Sequence, residues 1–265
     1  MARDRLLAEV LYQDERHVCL CFHELMPRET MPSNQCMIIH RGHAAIMDPG
    51  GDLNFKTLLQ TISHHIDLAH LDFILASHQD PDIITSLPRW LMHTQAQVVI
   101  PSVWARFLPH LVSGIITDHL SVQVSDRLIA LPDQGGRLAL SDCEIFALPA
   151  HFLHSVGNFS FYDPHARILF SGDIGSSTDN PTSMFVQDFE AHTTAMTPFH
   201  QRYMCSNQAA RHWVAMVRQL DVTMMIPQHG PGFSGPAMVE NFLSWFEQLP
   251  VGLDLIDAHL YQVPV

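Results

Sequence analysis

The stretch "LDFILASHQDPDIIT", residues 71–85, begins with a mainly apolar run and continues with closely spaced ionisable side chains. The run from Leu71 to Leu75 is dominated by Leu, Phe and Ile, which favours a strand. His78, Asp80 and Asp82 follow within five positions. Carboxylates held this close repel each other and raise each other's pKa values unless a cation neutralises them. The stretch therefore predicts a strand that ends in a metal-binding loop.

Polar residues follow three further predicted strands in the same way. The strands and the side chains after them are 144–148 with His151 and His154, 168–170 with Asp173, and 223–226 with His229. In layered α/β folds, loops at strand ends direct side chains of different strands into one crevice. We therefore expect the four loops to bring three histidines and three aspartates together.

The chemistry of such a set limits what it can bind. Carboxylates and imidazoles without thiolates suit iron, manganese or zinc. Six ligands are more than one tetrahedral ion uses, so two metal ions that share a bridging carboxylate fit best.

Each motif has a simpler explanation when it is taken alone. Asp82 could cap a helix that starts at Ile83. Asp173 could lie in an ordinary turn, and His229 in a surface turn. Their common position after strands favours one shared site.

Apolar periodicity predicts the fold class. Predicted strands cover residues 36–40, 44–47, 73–76, 98–100, 144–148, 159–162, 168–170 and 223–226, and predicted helices cover 53–66, 83–92, 207–220 and 236–249. Two β-rich halves with helices between the strands indicate an α/β protein with two packed sheets and helices outside, a four-layer αββα sandwich. Without a linker or low-complexity tract, we expect a single domain over residues 1–265, whose last segment, 251–265, is a strand or a tail.

Composition excludes several classes of partner. Hydrophobic residues make up 47% and charged residues 15%, as in a compact globular protein. A net charge of −13 with only 14 Lys and Arg residues lacks the basic footprint of nucleic-acid binding. No apolar run is long enough to span a bilayer and the N-terminus is not signal-like, so we expect a cytoplasmic protein without membrane contact. The five cysteines form no CxxC pair, which argues against a disulfide framework or a zinc ribbon.

The segment from His78 to Ile83 resembles a known metal motif. It is similar to the HxExDH motif of flavodiiron proteins, the carboxylate variant of the HxHxDH motif of the metallo-β-lactamase superfamily. Four other segments resemble the same fold: "NQCMIIHRGHAAIMDPG" (34–50), "FLHSVGNFSFYDPHARILFSGDIGSS" (152–177), "QRYMCSN" (201–207), similar to a tyrosine-containing helix start, and "MMIPQHGPGF" (224–233). The resemblance extends from about Ser33 to Phe246 and implies the αββα metallo-β-lactamase-like fold.

The resemblance also implies a ligand set for two iron ions. One iron would take His78, Asp80 and His154, the other Asp82 and His229, with Asp173 and an oxo, hydroxo or peroxo oxygen bridging them. His151 competes with His154, and the positional match favours His154. Tyr203 would donate a hydrogen bond near the bridging oxygen, or else be a buried structural tyrosine.

Two positions depart from the flavodiiron motif. Asp80 stands where the family has glutamate and where the zinc hydrolases have histidine, so its carboxylate is one methylene shorter than the family's. Ile83 stands where the motif ends in histidine, which leaves the second iron with one imidazole fewer and a position that could admit a diatomic ligand.

The implied function is oxygen binding. Flavodiiron proteins carry a flavodoxin domain with FMN after this one, but this sequence ends at Val265 without a Gly-rich phosphate-binding loop, so we expect no FMN within it. It resembles the stand-alone oxygen-binding diiron proteins associated with chemotaxis, which implies an oxygen sensor that holds O2 as a peroxo adduct.

Two other functions stay open. The first is an enzyme, an O2 or NO reductase served by a separate electron donor, and the second is a zinc-dependent hydrolase, against which Asp80 and Ile83 both argue. The expected partners are O2 or NO, a chemotaxis or other signalling protein or an electron donor, and a second copy in a homodimer.

Overall fold

The computed structural model describes residues 8–23, 25, 31, 33–111, 124–178 and 183–264. These residues form two sheets. The first has seven strands that lie side by side in chain order: β1 Ala8–Gln13, β2 His17–Phe22, β3 Gln35–His40, β4 His43–Met47, β5 Leu71–Leu75, β6 Gln97–Pro101 and β7 Leu128–Leu131. Neighbours are antiparallel up to β4 and parallel from β4 to β7, so β4 to β7 all end at the same edge.

The second sheet is mostly antiparallel. Its described strands are β8 Gly136–Leu140, β9 Cys143–Pro149, β10 Phe159–Asp163, β11 Ile168–Gly172, β12 Met224–Pro227 and β13 Phe233–Ser234, in the order β13-β12-β11-β10-β9-β8. Within this sheet β11 and β12 run parallel. Their carboxyl ends therefore meet at one edge, and the chain leaves both strands into neighbouring loops.

Helices cover the outer faces of both sheets. The described α-helices are α1 Phe55–Ile62, α2 Pro81–Ile84, α3 Leu87–His93, α4 Ser102–Ala105, α5 Phe189–Tyr203, α6 Asn207–Val217 and α7 Pro236–Gln248. Short 3₁₀ turns lie at Leu68–His70, Leu108–Leu111, Val124–Arg127 and Ala258–Leu260. Helices α1 and α3 pack on the first sheet, and α5 to α7 on the second.

Side chains alternate between the two faces of each sheet along the strands, and they form three apolar interfaces. In β3, Cys36 and Ile38 pack between the two sheets, whereas Met37 points to the outer face under α1 and α3. Phe161 of β10 joins the layer between the sheets, and its neighbour Tyr162 packs under α5 to α7. Three buried interfaces separate four layers, which confirms the predicted αββα sandwich.

Several elements differ from the prediction. Strands β1, β2, β7, β8 and β13 were not predicted, and the predicted helix at 83–92 is two helices, α2 and α3. Pro88 lies at the start of α3, where a residue without N–H is tolerated. The predicted helix at 53–66 ends at Ile62, and α5 was not predicted because its Thr- and His-rich sequence contains Pro198.

The remaining expectations concern the ends and the compartment of the protein. The predicted strand at 251–265 is absent from its described part, 251–264, which is mostly exposed and contains a 3₁₀ turn. Within the described residues, no helix is both long and apolar enough to cross a membrane. The five cysteines, all of them in the described ranges, are free thiols. The single domain over 1–265 stays a prediction.

Candidate metal centre

The six predicted metal-binding side chains converge at one end of the sandwich. They are His78, Asp80 and Asp82 after β5, His154 between β9 and β10, Asp173 after β11 and His229 after β12. His78 Nε2 lies 3.4 Å and His154 Nε2 lies 2.8 Å from Asp173 Oδ2. Strand ends of both sheets therefore direct these side chains into one space.

Asp173 divides this site into two halves. Its Oδ2 faces His78 and His154, and its Oδ1 lies 3.6 Å from His229 Nε2. Asp80 belongs to the first half, where its Oδ2 is 3.2 Å from His154 Nε2. On the other side, Asp82 Oδ2 is 3.2 Å from His229 Nε2. A carboxylate with its two oxygens facing two separate imidazole groups has the geometry of a bridge between two cations.

The short helix α2 directs both aspartates of the first loop. It begins at Pro81, with Asp80 in the N-cap position and Asp82 in the first turn. The Asp80 carboxylate makes no capping bond to the described backbone amides of α2 and turns toward His78 and His154 instead. The alternative explanation, that Asp82 caps a helix starting at Ile83, is therefore wrong.

His78 is held from behind by a buried serine and aspartate. Its Nδ1 lies 2.9 Å from Ser77 Oγ, so its Nε2 faces the carboxylates. The Ser77 N–H donates to Asp48 Oδ1 at 2.8 Å. Burial raises the pKa of Asp48 to about 6. Asp48 follows the β3–β4 hairpin that the sequence resemblance included, but its support of the His78 loop depends on tertiary packing and was not predicted.

Further contacts connect the loops to each other. Ser155 Oγ donates to Gln79 Oε1 at 2.7 Å, which joins the His154 loop to the His78 loop. The Asn34 amide donates to the carbonyls of Pro227 and Gly230 at 2.9 and 2.8 Å, on either side of His229. Sequence reasoning missed Ser155 and Asn34 because their partners are distant along the chain.

His200 supports the loop that carries Asp173. Its Nε2 accepts the Gly175 N–H at 3.0 Å, and its Nδ1 lies 2.9 Å from the Met196 carbonyl. Burial lowers the pKa of His200 to about 4, so the ring is neutral and can accept this bond at pH 7. His200 therefore positions the Asp173 loop, a role that no local sequence pattern indicates.

The electrostatics of the site favour positive charge at its centre. Burial lowers the pKa of His78, but Asp173 and Asp80 outweigh burial and raise it to about 10. His154 behaves likewise, with a pKa of about 9. Burial raises the pKa of Asp173, yet the surrounding imidazoles, His78 first, hold it well below its usual range. Without metal, protons on these imidazoles neutralise the carboxylates, as metal cations would when they bind.

The donor atoms fit a dinuclear metal centre. Among the described residues, His78 Nε2 and Asp173 Oδ1 are buried at the centre and make no hydrogen bond. Such atoms are costly to bury, so they point to a bound partner of another kind. Three imidazoles and three carboxylates suit two ions such as iron, manganese or zinc.

Two other residues singled out in the sequence, His151 and Ile83, supply no ligand atom to the site. His151 Nε2 is 2.7 Å from the Asp133 carbonyl and does not join the six. Ile83 is fully buried in a small apolar cluster with Ala76 and Ile84 and supplies no ligand atom.

Tyr203 borders the first half of the site from the end of α5. Its ring centroid lies 5.6 Å from that of His154, and it stacks on Phe199 at 4.7 Å. It is 54% exposed, so the alternative of a buried structural tyrosine is wrong. The segment 201–207, expected to start a helix, ends α5 and then caps α6 through Ser206.

Comparison with known proteins identifies the family. Residues 31–230 match the family model described as ODP family beta lactamase. This chain belongs to the ODP family. The predicted place in the flavodiiron-like branch of the metallo-β-lactamase superfamily is thereby confirmed.

Solved structures of the chemotaxis sensor ODP resemble this chain over nearly its full length. One, a peroxy diiron species, has 36% identity and a TM-score of 0.82 and covers 93% of this chain and 97% of its own. Another, the apo state from T. denticola, has 37% identity and a TM-score of 0.84, with 96% and 98% covered.

A curated relative is longer than this chain. Diflavin flavoprotein A 4 of Synechocystis sp. is 25% identical over 222 residues, which cover 80% of this chain. The matched part is 35% of the relative, so the chain spans about a third of the length of that protein.

Proposed function

We propose that this chain binds two iron ions and uses them to bind O2, as an oxygen sensor. The observation that carries the proposal is Asp173, whose two oxygens face two separate groups of imidazoles. The ODP family membership and the peroxy diiron species of the chemotaxis sensor ODP support iron over zinc. When bound, a ferrous pair supplies the electrons that hold O2.

Each ligand then has a role set by its position. His78, Asp80 and His154 would hold one iron, Asp82 and His229 would hold the other, and Asp173 would bridge them. The second group has fewer protein ligands among the described residues, because Ile83 contributes none. The side chains of Asp82 and Asp80 are 43% and 32% exposed, whereas His78 is fully buried. We therefore assign the side of Asp82 and His229 to O2 access.

Tyr203 is the proposed positioning residue of this site. Its exposed ring lies beside His154, so its hydroxyl would be placed to donate a hydrogen bond near the bridging oxygen. A Tyr203→Phe variant keeps the stacking on Phe199 and removes only the hydroxyl. A change in the optical response to O2 without loss of iron would indicate that the hydroxyl contributes.

Metal analysis of anaerobically prepared protein tests the function. We expect about two irons per chain and a new visible absorption when air is admitted. His154→Asn should abolish this response, and His151→Asn, three residues away and outside the site, should retain it. Well under two irons without any optical change would overturn the proposal.

The same preparation separates the two other functions. Rapid multiple-turnover consumption of O2 or NO with a reduced donor would identify a reductase. Zinc in place of iron, together with ester or phosphodiester hydrolysis, would identify a hydrolase.

The signalling role is tested by the assembly state. We propose that O2 binding changes the contact with a signalling partner or with a second copy of this chain. Sedimentation of the ferrous protein with and without O2, alone and with a chemotaxis receptor fragment, measures this change. Sedimentation that O2 leaves unchanged, both for the chain alone and with the receptor fragment, would contradict it.

A further inference from the structure

A second group of histidines lies at the opposite end of the sandwich, and we call it the distal histidine cluster: His17, His40 and His165. Phe159, at the start of β10, donates to the Ser77 carbonyl beside the metal centre, and β10 ends at Asp163 next to the distal cluster. With five residues in β10, the two ends are roughly 15 Å apart at ~3.3 Å per residue. One ring nitrogen of each distal histidine lies within 4.8 Å of the others.

Each distal histidine has a carboxylate behind it. The three pairs, each joined at 2.7 Å through Nε2, are His17 with Asp163 Oδ2, His40 with Asp142 Oδ1 and His165 with Asp14 Oδ2. A carboxylate accepts the N–H, so Nε2 carries the proton and Nδ1 keeps a lone pair. Metal-binding histidines are oriented in this way, because the carboxylate fixes the tautomer and raises the basicity of the free nitrogen.

The Nδ1 atoms of His17 and His40 face each other directly. The two residues are opposite partners on β2 and β3, and their Nδ1 atoms are 3.0 Å apart. A proton on one of the two Nδ1 atoms makes this contact a hydrogen bond, and a metal ion would take the place of that proton. Two nitrogens bound to one tetrahedral zinc ion are about 3.3 Å apart, given Zn–N bonds of about 2.05 Å. A shift of ~0.3 Å therefore opens the pair to a metal ion.

His165 completes the cluster from the turn between β10 and β11. Its ring stacks on that of His17, with centroids 4.4 Å and planes 14° apart, so the more exposed His165 ring must turn for both rings to reach one ion. Asp163 Oδ1 accepts the backbone N–H groups of His165 and Ala166 and so fixes this turn. The His165 side chain is 36% exposed, which gives an ion a route from solvent.

We propose that His17, His40 and His165 bind one divalent ion of the zinc class through their Nδ1 atoms, with a water molecule completing the tetrahedron. The ion joins β2 and β3 of the first sheet to the β10–β11 turn of the second. It is therefore a clamp between the two sheets, separate from the iron site.

Cys19 offers a competing donor set that is less suitable. Its Sγ lies 3.3 Å from His17 Nε2 and 3.1 Å from Asp163 Oδ2, to which the thiol donates. All three side chains are fully buried, so an ion has no route to them. Burial, with the nearby Asp163 carboxylate, raises the pKa of the Cys19 thiol well above its ordinary value and disfavours the thiolate that zinc prefers.

Zinc loading of the iron-containing protein tests this proposal. Iron-loaded protein is incubated with zinc, passed through a desalting column and analysed for both metals. We expect one zinc per chain and an unchanged iron content. His165→Asn should bind zinc at least tenfold more weakly. His43→Asn is the matched control, because His43 is an exposed histidine paired with Asp72 at 2.8 Å outside the cluster, and it should bind zinc as the wild type does.

Cobalt provides a second measurement on the same variants. Co²⁺ added to iron-loaded wild type and to His43→Asn should give the visible absorption of a tetrahedral ion, which His165→Asn should lack. Zinc that is not retained, that displaces an equal amount of iron, or that His165→Asn retains equally would overturn the proposal. Iron and zinc are measured separately, so the zinc result can be interpreted even if the chain does not bind two irons.

Discussion

The metal centre and the distal histidine cluster contain the same residue types but use their carboxylates differently. In the metal centre, Asp80 and Asp173 face the same space as the imidazoles, at 2.8–3.7 Å, and two central atoms make no hydrogen bond. In the distal cluster each carboxylate lies behind an imidazole at 2.7 Å. The position of the carboxylate therefore decides whether it is a ligand or orients one.

The largest change is expected from Asp173→Asn. Asparagine keeps the shape of the side chain but loses the negative charge that bridges the two halves. We therefore expect the iron content to fall from about two to well under one per chain, and the optical response to O2 to disappear. Asp163→Asn removes the corresponding buried carboxylate of the distal cluster and should keep both irons. Iron analysis measures the difference between the two variants, and circular dichroism is the folding control. Two irons retained in Asp173→Asn would contradict the bridging role of Asp173.

The sequence predicts one cluster and misses the other for a physical reason. His78, Asp80 and Asp82 lie within one loop, so their crowding is visible as a motif. The distal cluster takes His17 from β2, a strand that was not predicted, and His165 from a turn. His17 and His40 meet when β2 pairs with β3, and His165 joins them only when the two sheets pack, so no local spacing reveals the cluster.

The same distinction holds for the fold. Strands β5 and β11 were predicted because they contain apolar runs, and β11 is buried throughout whereas β5 is buried or half-buried. Strand β1 is half exposed and has no such run. Helix α5 buries only part of its surface, so its sequence shows little periodicity. Supporting contacts such as Asn34 with the His229 loop depend on tertiary packing alone.

A smaller change is expected from Ile83→His, which tests the asymmetry of the metal centre. An added imidazole would occupy the position that we assign to O2, so iron is retained while the optical response to O2 falls by more than half. Ile84→His is the matched control, because Ile84 is also buried in the same apolar cluster. A histidine there is destabilised by burial to a similar extent. Equal responses of the two variants would refute the assignment.

The metal-free protein should lose stability as the pH rises. The pKa values of His154 and His78 are raised to about 9 and about 10, because burial lowers them but the Asp173 and Asp80 carboxylates raise them more. The contribution of the two histidines to the free energy of unfolding is fully present below the ordinary histidine pKa of about 6.5. It is lost as the pH rises through their folded-state pKa values of about 9 to 10. We expect Tm to fall by roughly 5 °C between pH 7 and pH 10.

Metal loading provides the control for this pH dependence. Bound metal replaces the protons on His78 and His154, so the loaded protein should keep its Tm over the same interval. Thermal unfolding followed by circular dichroism at pH 7, 8.5 and 10 compares the two forms. Parallel decreases in both forms would show that the fall arises elsewhere in the chain.

The smallest change is expected from Asp142→Asn in the distal cluster. Asp142 accepts from His40 Nε2 and pairs with Arg41 at 2.9 Å, but its side chain is 55% exposed. Loss of a carboxylate behind a metal-binding histidine weakens metal binding by about 10- to 100-fold, and exposure favours the lower end. We expect zinc affinity to fall about tenfold with iron unchanged. Asp72→Asn, which removes the carboxylate paired with His43, should leave zinc affinity unaltered, and equal affinities in both variants would mean that His40 needs no carboxylate to bind metal.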